Sequence, residues 1–476
     1  MAYRYGERTQ SVLFPQSIDD YVSADDPVRA YDAFVEQLDL EALGITINER
    51  NTGCPAYAPK AMLKLLLYGY SYGERSSRKL ERAVHHNISF IWLMGKLKPD
   101  HKTIARFRRN HRQAIGNLLK QCARMCVELD LITGNTLFVD GSKFRANAGI
   151  GKTQRKATLQ EQLTVIDQHI AQILADADAA DEHERNDPSL VKMSKDLSDK
   201  QALQAKIKTL LETMDSTQTT RFNTTDPDSC IVKSRQGTHA GYNAQITVDD
   251  AHGLIVHSDV VNESNDINQF AKQIKAAEEI IEKQVTNACA DNGYVNYEQL
   301  KQVSNAGTTV IVPSKKQAQH KRIDNPFDKE QFCYDMRTDQ YRCPAGQLLE
   351  LKKIRQDKQV KVYRIKQTKM CRRCQYYNQC TNSKHGREIH RYLDEEYRAQ
   401  IAHCYAQPEN QTIYARRKTK AELPFGHMKY NLKAGAFLLR GLLGARAELS
   451  LLGCCFNISR MITLLGVTGV IKQLHP

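Results

Sequence analysis

The sequence has no G-x-x-x-x-G-K-[ST] element, no H-E-x-x-H pair and no nucleophile elbow. The first absence excludes a P-loop, and with it any need for a nucleotide triphosphate. The other two remove the common zinc-protease and α/β-hydrolase signatures. A single tryptophan in 476 residues carries no functional signal. No clean apolar run of membrane length occurs. The most apolar stretch, Leu449 to Ile471, is interrupted by Asn457 and Arg460 and diluted by glycine and serine. A buried core helix is expected there, with no membrane partner. The opening Met-Ala-Tyr-Arg-Tyr-Gly-Glu-Arg is polar and charged, unlike a secretory signal, so a cytoplasmic protein is expected. Thirteen cysteines in such a chain point to thiols and metal rather than disulfides.

Acidic residues are also in short supply: 54 against 68 lysines and arginines, a formal charge of +14. That excess suits a polyanionic partner, nucleic acid before membrane, although a solubility surplus of basic residues would look the same. The hydrophobic share of 41% is ample for a core, and the length suits two or more domains.

Residues 1–130 read as all-helical. Pro59 opens a helix with apolar Met62, Leu65, Leu66 and Tyr68, ended by Gly73; Ser76 and Ser77 can cap the next. Ile88 to Met94 is a short apolar piece. Pro-Asp-His-Lys-Thr then leads into a helix carrying Ile104, Phe107, Ile115 and Leu118, with Arg106, Arg108, Arg109 and Arg112 facing solvent. Short helices, tight turns and one basic helix suit a helix-turn-helix-like DNA reader; an ordinary bundle with a basic face fits the spacing equally well.

A β signal runs from Thr136 through Leu-Phe-Val to Asp140. Two helical patterns follow, one on Leu159, Leu163, Ile166, Ile170 and Ile173, the other on Leu203, Ile207, Leu210 and Met214. A turn at Asn186, Asp187 and Pro188 makes them an antiparallel hairpin, a structural arm or a clamp for DNA or a second subunit. Strands are expected at Tyr242–Val248 and Leu254–Val260, a helix from Asp266 to Lys283, a strand ending at Asp291, and another at Thr308–Val312. The class is α/β, and sites in open α/β sheets gather at the carboxyl ends of strands.

Three acids stand out against that background: Asp140 in Val-Asp-Gly-Ser-Lys, Asp291 in Ala-Asp-Asn-Gly-Tyr, and Glu422 in Lys-Ala-Glu-Leu-Pro-Phe-Gly-His-Met-Lys. Two aspartates and a glutamate are the right ligands for hard divalent metals, which suit phosphodiester chemistry. Each is also open to a plain reading as a cap or turn residue. Glu422 lies among Arg416, Arg417, Lys418 and Lys420, and Lys429 follows two helical turns later on the same face, joining a metal ligand to a phosphate clamp. Cys371 and Cys374 form a C-x2-C pair, with Cys380 after it and Cys343 before it. Together they suit a structural zinc, with Cys333 or His385 as substitute ligands; free thiols or redox use remain the alternative.

Taken together, these stretches resemble the DDE transposases of bacterial insertion sequences, most closely the insertion sequence 1182 family, within the insertion-sequence-4/5-like superfamily. The matching pieces include Tyr-Ala-Pro-Lys-Ala-Met-Leu-Lys-Leu-Leu-Leu-Tyr-Gly-Tyr, Pro-Asp-His-Lys-Thr-Ile-Ala-Arg-Phe-Arg, Val-Asp-Gly-Ser-Lys-Phe-Arg-Ala-Asn-Ala, Gly-Tyr-Asn-Ala-Gln, Ala-Asp-Asn-Gly-Tyr and the cysteine pattern. The resemblance implies a ribonuclease-H-like catalytic core, a mixed sheet with flanking helices, at 131–148, 216–314 and 411–476. It implies an N-terminal helical DNA-binding domain at 1–130 that reads terminal inverted repeats. A helical hairpin insert at 149–215 and a basic cysteine-rich insert at 315–410 complete the expected layout. Asp140, Asp291 and Glu422 would bind two Mg2+ (or Mn2+) ions. Cleavage at the element's ends and strand transfer into target DNA would follow, with a homodimer pairing two ends in the synaptic complex. Of the related tyrosine-arginine-glutamate-lysine signature, Glu422 and Lys429 keep the spacing. Tyr414 and Arg417 lie one residue too far upstream, and Lys418 takes the arginine's place. An inactive or domesticated DNA-binding copy, or a nuclease without strand transfer, is the competing reading.

Overall fold

The apolar run Leu137-Phe138-Val139 becomes the centre of a mixed sheet in the computed structural model. The model describes residues 17–46, 56–181, 188–216, 218–234, 237–318 and 326–475, and the side chains of these except 176–194. The opening residues and the expected turn at Asn186-Asp187 lie outside that set. The chain divides into two compact units, Met1–Cys289 with Ala415–Pro476, and Ala290–Tyr414.

The main sheet of the first unit has the strands β1 (Thr136–Arg145), β2 (Cys230–Ser234), β3 (Gly237–Asp249), β4 (Ile255–Val261) and β5 (Asn287–Cys289). The long β3 lies antiparallel to β1, with Asp140 opposite Ile246 and Arg145 opposite Gly241. Both β2 and β4 pair antiparallel with β3, and β5 runs parallel to β1 on its other side, Phe138 opposite Cys289. The fold is therefore mixed α/β, with antiparallel strands on one side of β1 and a parallel one on the other. The expected hairpin of β3 and β4 is present, and a helix, Phe270–Ile281, follows it.

One boundary differs from expectation. Asp140-Gly141 is not a turn, because β1 continues through five more residues to Arg145. Its partner β3 extends upstream of Tyr242 to Gly237, so the ladder has somewhere to go. Gly241 allows it: a Cβ there would stand 2.4 Å from the Phe144 carbonyl oxygen and 2.5 Å from Val232.

The N-terminal helices share their core with the sheet. Helices Pro27–Glu36, Pro59–Ser71, Arg112–Gly116 and Leu118–Glu128 all pack on the C-terminal helix Leu442–Leu474, which also covers β4. The single helix expected across Ile104 to Leu118 is instead three, His101–Asn110, Arg112–Gly116 and Leu118–Glu128. The C-terminal helix is long and apolar enough to cross a membrane by length and composition. Its residues from Gly444 to Ile458 are nevertheless almost all buried within the unit, and it breaks at Gly466, whose φ is 72°. Asn457, which interrupts the apolar stretch, is fully buried and holds Ile255 at both ends: Nδ2 donates to the carbonyl and Oδ1 accepts from the N–H, each at 2.8 Å. Matching both groups of a buried amide in this way offsets the cost of taking it out of water.

Helices Lys156–Asp181 and Pro188–Ser216 pack along each other, with Leu159, Ile166, Ile207 and Met214 buried between them. The second unit holds helix Tyr297–Asn305 and a strand, Thr309–Ile311, and its main feature is an antiparallel sheet that the composition did not announce. Its strands are β6 (Cys333–Asp335), β7 (Gln340–Arg342), β8 (Leu348–Arg355), β9 (Val360–Ile365) and β10 (Glu388–Tyr392), paired in chain order. Phe332, Tyr341, Leu349, Tyr363 and Ile389 form its core.

Candidate active site

Alternation along β1 sends Asp140, Ser142 and Phe144 to one face of the sheet and Lys143 to the other. The first face receives the segment 417–437. Arg417 Nη2 donates to Asp140 Oδ1 at 2.8 Å, and both residues are only 8% exposed. Arg417 Nη1 lies 3.7 Å from Glu422 Oε1, whose side chain is half exposed. One guanidinium thus joins two acids that are 282 positions apart in the sequence (422 less 140).

Lys429 closes the other end of this face. It sits in a π-helical turn, His427–Asn431, that follows the short helix Glu422–Gly426. Its Nζ donates to Ser142 Oγ at 2.5 Å and to the Lys143 carbonyl at 2.9 Å, and lies 4.7 Å from the Phe144 ring centre. Burial lowers its pKa; the charge of Asp140 opposes that, and Lys143 adds to it. The chain beyond Lys429 is pinned to β1 as well. Phe437 N–H donates to the Arg145 carbonyl at 2.9 Å, and its ring stacks on Phe144 with centres 4.9 Å apart. An open cleft alongside is lined by Ser142, Lys143, Arg145, His239, Lys429 and Tyr430. Tyr430 is 82% exposed.

The opposite face carries a polar cluster that sequence reading missed. Asp266 Oδ1 accepts from Asn243 Nδ2 and Gln245 Nε2, both at 2.7 Å, and from Lys143 Nζ at 3.2 Å. Asn243 and Gln245 stand in Gly-Tyr-Asn-Ala-Gln, where their period of two was a signal for a shared face.

Asp291 belongs to the second unit, two residues beyond the end of β5. It caps a 3-10 turn, Asn292–Tyr294, with its carboxylate accepting from the Gly293 N–H at 2.8 Å. Lys418 is exposed, and exposed Arg416 pairs with Asp250 at 2.9 Å. Among the described residues no three His, Cys, Asp or Glu side chains are gathered as a ready ligand set for a metal ion.

Arg106 and Arg109 are exposed on helix His101–Asn110, and Asp100 caps that helix by accepting from the Thr103 N–H at 2.7 Å. Arg108 corrects the expected basic face. It is 6% exposed and turns inward, where Nη1 donates to the Arg75 carbonyl at 2.7 Å and to the Tyr70 hydroxyl at 3.2 Å. The helical period puts it beside Ile104, on the packed side rather than the wet one.

In the second unit, Cys343, Cys371, Cys374 and Cys380 all line one cavity, closed by Phe327, Leu349 and Ile365. Burial pushes the Cys380 thiol up, and Cys371, Cys343 and Cys374 add to the effect while Arg387 opposes it. Cys333 and His385 are exposed and take no part in this lining.

Two family models match the sequence. One, described as a transposase domain (DUF772), covers residues 16–110; the other, a transposase DDE domain, covers 342–462. Among solved structures, a piggyBac transposase synaptic complex with hairpin DNA is similar at 10% identity and a TM-score of 0.35. The match covers 94% of this chain and 78% of that one. No curated protein matches.

Proposed function

We propose that the chain is a DDE transposase of the insertion-sequence type, most like the insertion sequence 1182 family, with Asp140, Asp291 and Glu422 as its catalytic acids. In this reading it binds the terminal inverted repeats of its element, cleaves at the ends, and joins the freed 3′ ends to target DNA. The observation that carries the proposal is the shared hold of Arg417 on Asp140 and Glu422, with Lys429 anchored two and three residues further along the same strand. Asp291 is included because it stands in Ala-Asp-Asn-Gly-Tyr, one of the stretches that carry the resemblance to the family.

The family implies a divalent metal, and we assign Mg2+ or Mn2+ to these acids. The donor set fits, since carboxylate oxygens are what such ions prefer, and a buried cation already stands between two of them. Bound metal supplies neutralisation of the phosphate charge and a more acidic water. The protein's own groups do the rest. Asp140 is held in a central strand, Glu422 stands at a helix start near the other nitrogen of the Arg417 guanidinium, and Lys429 offers an ammonium toward a phosphate from the Ser142 side. In cleavage, water oxygen bonds to phosphorus as the 3′ oxygen leaves and takes a proton. In strand transfer that 3′ oxygen bonds to a target phosphorus and displaces the target's own 3′ oxygen. No covalent enzyme intermediate is required.

The antiparallel strands on one side of β1 and the parallel β5 on the other support a ribonuclease-H-like core. Arg106 and Arg109 are assigned to end recognition, and Lys418 to the DNA backbone. The four cysteines that line one cavity are assigned to a structural zinc, which their thiolates would hold with no position left open. Two copies would pair two ends in the cytoplasm, at the nucleoid. The test is incubation of the purified chain with Mg2+ and duplexes bearing the inverted repeats that flank its coding region. Joined products are expected; nicked ends that never join would reduce the assignment to a nuclease.

A further inference from the structure

The residue between the acids has a second consequence. A metal ion held by Asp140 and Glu422 would need their carboxylate oxygens for itself. Arg417 Nη2 is already 2.8 Å from Asp140 Oδ1, and Nη1 faces Glu422 Oε1. A guanidinium does not lose its charge by deprotonation, so it leaves such a place only by moving. Two cations on one carboxylate oxygen repel at this range, in a pocket where Asp140 and Arg417 are both screened from water.

We propose that Arg417 is a built-in counter-ion that closes the acid pair in the DNA-free protein and must swing off before metal loads, with a DNA phosphate as its next partner. Arg417 lies near the end of helix Pro408–Lys420, between exposed Arg416 and Lys418, on a surface with the charge to meet a phosphate backbone. Planar, forked donors suit phosphate as well as carboxylate. The exchange keeps the hydrolytic metal off the enzyme until DNA is present. By linkage, DNA tightens metal binding and metal tightens DNA binding by the same factor. The inference rests on the reading of Asp140 and Glu422 as metal ligands.

The test is Mn2+ binding to the DNA-free full chain, followed by the loss of the free-ion paramagnetic resonance signal. Arg417→Gln is expected to bind Mn2+ about tenfold more tightly than the parent. Arg417→Lys keeps the charge and the fold, but a point-like ammonium cannot span both carboxylates, so it also binds more tightly, by a smaller factor. Lys418→Gln, which removes an exposed charge next door, changes the constant by less than about twofold. Adding Asp140→Asn to Arg417→Gln abolishes the gain. The inference is overturned if both Arg417 variants bind as the parent does while Asp140→Asn still weakens binding, a result that leaves the ligand assignment standing. It is overturned too if Lys418→Gln tightens binding as much as Arg417→Gln. If Asp140→Asn alters nothing in any background, the ligand assignment itself fails and takes the inference with it.

Discussion

Arg75 and Glu448 form a buried ion pair, Nη1 to Oε1 at 2.7 Å, across 373 residues of sequence. The same guanidinium holds the carbonyls of Ala436 and Lys433, while Glu448 Oε2 accepts from the N–H groups of Leu438 and Leu439. The pair therefore ties the N-terminal helices to the loop that positions Lys429. Glu448→Ala leaves the Arg75 charge buried without its partner and is expected to cost about 3–5 kcal/mol of stability. Chemical denaturation checks it; a loss under about 1 kcal/mol would mean that the pair is not shielded as described.

Acid sensitivity is expected from His257 on β4. Burial lowers its pKa from 6.5 to about 4, against the pull of Asp259 and Glu279 and with help from Arg446 and Lys120. The native imidazole stays neutral while the unfolded one takes a proton below its ordinary pKa. Its contribution is complete above about pH 6.5 and drains away as pH falls toward about 4. Between about pH 7 and pH 5 the loss is at most about 2 kcal/mol. Urea midpoints at the two pH values should draw together in His257→Asn; an unchanged gap would refute the assignment.

The arginines of helix His101–Asn110 should separate into two kinds. Arg106→Ala and Arg109→Ala are expected to weaken DNA binding and lower its log–log salt slope by about 0.9 for each phosphate no longer neutralised. Arg108→Ala is expected to unfold the chain more easily, since it strips donors from the Arg75 carbonyl and the Tyr70 hydroxyl. A salt slope changed by Arg108→Ala in protein that remains folded would contradict its structural role.

For the cysteine cavity, purified protein should contain about one zinc per chain. Cys374→Ser should lower that content and the thermal stability of the protein. Metal-free protein with unchanged melting after chelation would leave these four residues as plain thiols.

Much of this was legible from local pattern. Leu137-Phe138-Val139 announced a buried strand, and Asp140, the acid that follows the apolar run, stood out as a candidate for a site. Where β1 stops was not legible, since it depends on the length of β3, a partner a hundred residues away. Arg108 failed for a related reason: a run of arginines looks solvated until the one beside Ile104 is seen to face inward. The sheet β6–β10 hid behind a lysine-rich composition, although Val360-Lys-Val-Tyr-Arg-Ile alternates as a strand should. Arg417 stands out in the sequence only as one of the basic neighbours of Glu422; its hold on Asp140 is long-range and leaves no mark in the sequence.

The central claim is that Asp140 serves chemistry and not DNA affinity. The direct measurement compares Asp140→Ala with the parent on a duplex carrying the element's end, scoring Mg2+-dependent cleavage and binding in parallel. Cleavage is predicted to vanish, a loss of at least about a thousandfold, with binding nearly intact. Cutting by the variant at the parent's rate would contradict the account.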